Sequence, residues 1–173
     1  NEDIGTTGVR GAASLAVSGV SNLGGDVNTT GTQTYTSGVT LSGGARILKA
    51  GSTGVTFSST LAGGTSNLTI TGNAVFGGNA TGLGALDVSG TLAANATNIT
   101  ATNESITVQG TTTIANGITL VVDSGTADKD ITFAAITAGD DTGQNLTIDA
   151  GTNANAQIFL NGAVTNLDTL AIT

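Results

Sequence analysis

The sequence predicts an all-β chain wound as a parallel β-solenoid. Short runs alternate apolar and small polar residues with a period of two. These runs recur at near-constant spacing, separated by clusters of Gly, Asn, Asp, Ser and Thr. Their order also repeats once, about 80 residues further on. An antiparallel β-sandwich of short strands is the runner-up, because regular spacing permits it too. The long repeat favours the solenoid, since it keeps many strands in one order.

Taken from the N-terminus, the strand signals are Leu15-Ala16-Val17, Val39-Thr40-Leu41, Val55-Thr56-Phe57, Leu68-Thr69-Ile70 and Leu86-Asp87-Val88. They continue with Ile106-Thr107-Val108, Ile118-Thr119-Leu120, Ile131-Thr132-Phe133, Leu146-Thr147-Ile148, Ile158-Phe159-Leu160 and Leu170-Ala171-Ile172. In each the outer two residues share one face and the middle residue takes the other. β-branched residues dominate, which suits a pleated, half-buried surface. No window carries apolar residues at helical spacing. Clusters such as Asp123-Ser124-Gly125, Gly139 to Gly143 and Gly151-Thr152-Asn153 supply turns, where Gly tolerates positive φ and Asp and Asn bond the backbone. The lack of Pro fits, because Pro would remove ladder hydrogen bonds. A coil of one step would have no room for Phe57 or Phe133, so the expected coil has two or three strands and about 20 to 27 residues.

Two long repeats emerge, about 15–85 and about 86–173, after a leading segment 1–14. Gly31–Leu41 reads GTQTYTSGVTL and Gly110–Leu120 reads GTTTIANGITL. The match then pairs Phe57 with Phe133, Asn67 with Asn145, Phe76 with Phe159 and Leu86 with Leu170. It also sets Tyr35 against Ile114, so the aromatics are expected at equivalent inward places. The expectation is a single repeat array over 1–173, a segment of a longer protein whose stack continues beyond it.

Composition limits the chemistry. The chain of 173 residues carries 12 acids and 4 cations, a net charge of −8. Arg10, Arg46, Lys49 and Lys129 are too few for a phosphate-binding patch, so no nucleic acid is expected, and no anionic membrane surface. The longest apolar run, Ile118–Val122, is far too short to insert in a membrane. With no His and no Cys there is no Ser-His or Cys-His pair and no soft-ligand metal site, so catalysis is not expected.

Calcium is the one cofactor the acids could suit. Asp123, Asp128 and Asp130 lie in one turn-rich stretch, and Asp140 and Asp141 in another. The Gly-rich calcium-binding nonapeptide is absent, and solvated turn residues are the simpler reading. Asn28, Asn67, Asn79, Asn95, Asn98, Asn103 and Asn145 begin Asn-x-Ser/Thr sequons, against about four expected from composition. The central threonines Thr40, Thr56, Thr69, Thr107, Thr119, Thr132 and Thr147 form one apparent rank. The positions two residues on are irregular, so that rank is read as a β-favouring outer face and not as an ice-binding surface.

The succession GTQTYTSGVTL, GVTFSSTLAGGTSNLTI, AVFGGNATGLGALDV resembles repeats of large secreted bacterial adhesins of the filamentous-haemagglutinin-like and autotransporter type. The resemblance covers Gly31–Val88 well and Gly110–Ile172 with substitutions, Tyr becoming Ile114 and Phe-Gly-Gly becoming Phe159-Leu160-Asn161. It implies a right-handed parallel β-helix, an extracellular or cell-surface location on a prokaryote, and adhesion or matrix building. The expected role is a structural or adhesive segment forming a stiff surface stalk. The alternative is a self-assembling subunit of a filament, matrix or surface layer. Expected partners are other copies, flanking repeats of the same protein, or a host or neighbouring-cell surface.

Overall fold

A computed structural model describes the chain except residues 1, 5–7, 52, 103, 116, 126–128, 140–142 and 153, and gives the backbone alone for 2–4. Every strand pairing in it is parallel, and no described residue is helical. The chain is a β-solenoid with three strand columns. Column one stacks β1 (Glu2–Ile4), β4 (Ser21–Leu23), β7 (Val39–Leu41), β10 (Leu61–Ala62), β13 (Ala80–Leu83), β16 (Asn98–Ala101), β18 (Thr119–Asp123), β20 (Asn145–Asp149) and β23 (Thr169–Ile172). Column two stacks β2 (Val9–Ala12), β5 (Val27–Thr29), β8 (Arg46–Lys49), β11 (Leu68–Thr71), β14 (Leu86–Val88), β17 (Ile106–Ile114), β19 (Ile131–Ala138) and β21 (Ile158–Leu160). Column three stacks β3 (Leu15–Val17), β6 (Gln33–Tyr35), β9 (Val55–Phe57), β12 (Ala74–Phe76) and β15 (Leu92–Ala94). It then runs through the second halves of β17 and β19 to β22 (Val164–Thr165).

The coil is uneven in length. Successive column-one partners Ser21, Val39, Leu61, Ala80, Ile99, Val122, Ile148 and Ile172 lie 18, 22, 19, 19, 23, 26 and 24 residues apart. Three strands per coil therefore stand, with lengths close to the expected range. Side-chain alternation sends one set of residues inward at every rung. Leu48, Ile70, Val88, Val108, Phe133 and Leu160 stack in register in column two. Val17, Tyr35, Phe57, Phe76, Ala94, Ile114 and Ala138 do so in column three. All but Leu160 are buried, and each large aliphatic side chain withdrawn from water contributes about 1.5–3 kcal/mol. The Tyr35 and Phe57 rings stack at 5.2 Å, and Phe76 tilts against Phe57 at 5.7 Å.

The long repeat does not map onto columns as expected. Tyr35 and Ile114 share column three, four rungs apart. Phe57 lies in column three but Phe133 in column two. Asn67 precedes a column-two strand, whereas Asn145 opens β20 in column one. Leu86 and Leu170 differ in the same way. Phe76 points inward, but Phe159 stands beside Thr132 on the outer face and is 38% exposed. The cause is local. β8 adds a strand in the first half, while β19 serves two columns in the second, so equal strand order no longer means equal column. Interior volume is consistent with where Phe133 went: on its rung the column-three positions are Ile136 and Ala138, and the row that carries Tyr35, Phe57 and Phe76 has shrunk to Ala138.

Candidate functional site

Outward residues on the column-two face build the most distinctive surface. Arg10, Asn28 and Lys49 are in register on three successive rungs, and all three side chains are exposed. Two rungs separate the cations, about 9.6 Å. Together with Val9, Asp26, Val27 and Ile47 they line a recess of about 120 Å³. Ile47 contributes an apolar wall and is 47% exposed. Asp26 is committed to the scaffold, its Oδ1 accepting the Ile47 N–H at 3.0 Å. Among the described residues the one salt bridge joins Lys129 to Glu104 at 3.4 Å, so Arg10 and Lys49 have no carboxylate partner there. No pattern along the chain announces this ladder. Its members lie 18 and 21 residues apart, and only the true coil lengths bring them together.

Arg46, two residues before the inward Leu48, turns inward and is 9% exposed. Its Nε donates to the Ser42 and Leu23 carbonyls at 2.9 and 3.2 Å, its Nη1 to Ala45 at 2.6 Å, and its Nη2 to Ser42. Carbonyl dipoles at the corner thus hold the charge without an acid. A second interior polar group sits one corner away. Gln33 Nε2 donates to the carbonyls of Val27 and Lys49 and to Thr29 Oγ1, while its Oε1 accepts from the Tyr35 hydroxyl. Burial holds the Tyr35 phenol well above its ordinary pKa. These groups are consumed by the scaffold.

The calcium candidates divide. Asp128, Asp140 and Asp141 lie outside the described residues. Asp123 Oδ1 accepts the Gly125 N–H at 2.6 Å, and Asp130 Oδ1 accepts the Gln157 N–H at 3.0 Å in the next coil. Asp123 is instead in register with Asp149, whose Oδ1 takes the Gly151 N–H at 2.8 Å. Among the described residues no three His, Cys, Asp or Glu side chains are grouped to hold a metal.

Among the described residues, three sequon asparagines bond across coils: Asn145 Nδ2 donates to Thr119 Oγ1 at 3.3 Å, and two others hold turns. Asn67 Oδ1 accepts the Ala85 N–H at 2.9 Å, and Asn79 Oδ1 accepts the Thr97 and Asn98 N–H groups, each at 3.1 Å. Asn73, outside any sequon, does the same for Thr91 at 3.0 Å. Each of these bonds ties a turn to the next coil. Asn103 lies outside the described residues. The single threonine rank is a correction: Thr40, Thr119 and Thr147 face out of column one, Thr69, Thr107 and Thr132 out of column two, and Thr56 out of column three. Irregular coil length scatters residues that the one-dimensional pattern aligned.

No protein-family profile matches the chain, and neither does any curated protein or solved structure.

Proposed function

We propose that this chain is a structural and adhesive element outside the cell, a β-solenoid segment of a stiff surface stalk or adhesin. The observation that carries the reading is the three parallel ladders stacked rung on rung around a filled interior. In such a stack each coil is held by backbone bonds to both neighbours and by shared aliphatic columns, so local opening is costly. The outer face is small and polar, and acidic overall, which limits unspecific association. No catalytic chemistry is assigned to it. Limited proteolysis with sedimentation tests the stalk reading: the folded chain should stay monomeric and resist cleavage outside its turns. Rapid digestion through the strands would remove it.

The second reading is a self-assembling subunit of a filament or layer. Arg10 and Lys49, without a carboxylate partner among the described residues and in a chain of net charge −8, favour it. Ordered filaments of the purified chain in electron microscopy would decide for assembly.

A further inference from the structure

Charge is segregated along this solenoid. Before residue 50 three of the four cations balance Glu2, Asp3 and Asp26, whereas between Glu104 and Asp168 there are eight acids and one Lys. The two ends of that gradient each carry an unusual local pattern. At the first, Arg10 and Lys49 flank Asn28 over an open recess with an exposed Ile47 wall. At the other, Asp123 and Asp149 stand directly opposite each other on adjacent rungs, about 4.8 Å apart along the axis. Like charges in register repel, and a cation placed between them relieves the repulsion.

We infer that the Arg10–Asn28–Lys49 recess docks the Asp123–Asp149 rung pair of a second copy of this chain. This deepens the assembly reading and rests on it. The occupant follows from complementarity. Long cationic side chains two rungs apart can converge on a carboxylate pair one rung apart. The remaining described acids of the later coils are used singly: Glu104 pairs with Lys129, Asp130 Oδ1 takes the Gln157 N–H and an Asp168 oxygen takes the Gly143 N–H. Asp123 and Asp149 each spend Oδ1 on a turn, and among the described residues no bond to either Oδ2 is found. The contact joins two different patches, so it can propagate from copy to copy. It is dominated by exposed charge, so salt screens it.

Sedimentation at low salt reads the association. Its apparent Kd should rise about tenfold or more in Arg10→Gln/Lys49→Gln, and equally in Asp123→Asn/Asp149→Asn. Asn keeps an acceptor for the Gly125 and Gly151 N–H groups, so the turns survive the second substitution. Zero-length carbodiimide coupling of a mixture of isotope-labelled and unlabelled chains should yield interchain peptides joining Lys49 to Asp123 or Asp149. Association unchanged in both variants, or Lys49 coupled only to other acids, overturns the docking and leaves assembly standing. A chain that stays monomeric at low salt overturns the docking and the assembly reading together.

Discussion

The coils between β4 and β16 and the coils carrying β17 and β19 solve one corner in two ways. In the earlier set the chain turns sharply between columns two and three, and separate short strands lie on either side. In the later set nine residues of β17 and eight of β19 run through the corner as single strands. Glycine marks the sharp version and persists into β17. Gly51 donates to the Gly31 carbonyl at 3.2 Å, Gly90 to Gly72 at 3.0 Å and Gly110 to Gly90 at 3.0 Å, so backbone packs on backbone at this edge. A Cβ on Gly90 would sit 2.6 Å from the Gly72 carbonyl oxygen. In β19 the register shifts between its pairs with Val108 and Thr111, and Ala134 occupies the shifted position. A solenoid corner is therefore set by how closely successive backbones approach: β17 still places Gly110 at that contact, and only in β19 does an alanine, Ala134, stand opposite the two bulged residues Gln109 and Gly110.

The largest effect should come from that contrast. Gly90→Ala should cost more than about 3 kcal/mol, read as a lower urea midpoint, because the new Cβ meets the Gly72 backbone, which cannot yield, as well as Asn73 Oδ1, which the Thr91 N–H holds in place. Ala134→Gly should cost about 1 kcal/mol or less. Equal losses at the two sites would remove the distinction.

The aromatic columns separate the same regions. Phe57→Ala removes a ring touching Tyr35 and Phe76, and should cost about 3–5 kcal/mol by chemical denaturation. Phe133→Ala should lose less by about 0.5–1.5 kcal/mol, since no ring pair involving Phe133 is found among the described residues.

Tyr35 makes the earlier coils sensitive to alkali. Its folded pKa is raised by burial, so above the unfolded value near 10 the native state keeps a proton that the unfolded chain releases. Stability from this group is complete below about pH 10 and should fall by about 1.4 kcal/mol per pH unit above it. Tyr35→Phe should flatten that slope, measured as melting temperature against pH.

The smallest effect concerns the turns. Asn79→Ala should cost about 1 kcal/mol in thermal melts, because two backbone N–H groups lose an acceptor in a partly exposed setting. Asn79→Asp should recover most of it.

Strand existence was legible where apolar residues flank a Thr, as at Val55–Phe57 or Leu146–Ile148. It was hidden where the inward residue is polar or charged. β6 turns Gln33 inward and β8 turns Arg46 inward, and both satisfy themselves with carbonyls that no local pattern announces. The candidate recess was illegible for a different reason, since its register depends on coil lengths that vary from 18 to 26 residues.

The alternation of side chains, the absence of Pro and the recurring turn residues were enough to determine an all-β chain of short strands, and the long repeat favoured a parallel stack over an antiparallel sandwich. These are properties of single strands and of their spacing, and sequence carries both directly. Which residues share a column was decided only in three dimensions, because register is settled by interior volume and by the approach of successive corners. That is why Phe133 changed column while Phe159 turned outward, and why Arg10 meets Lys49 on one face.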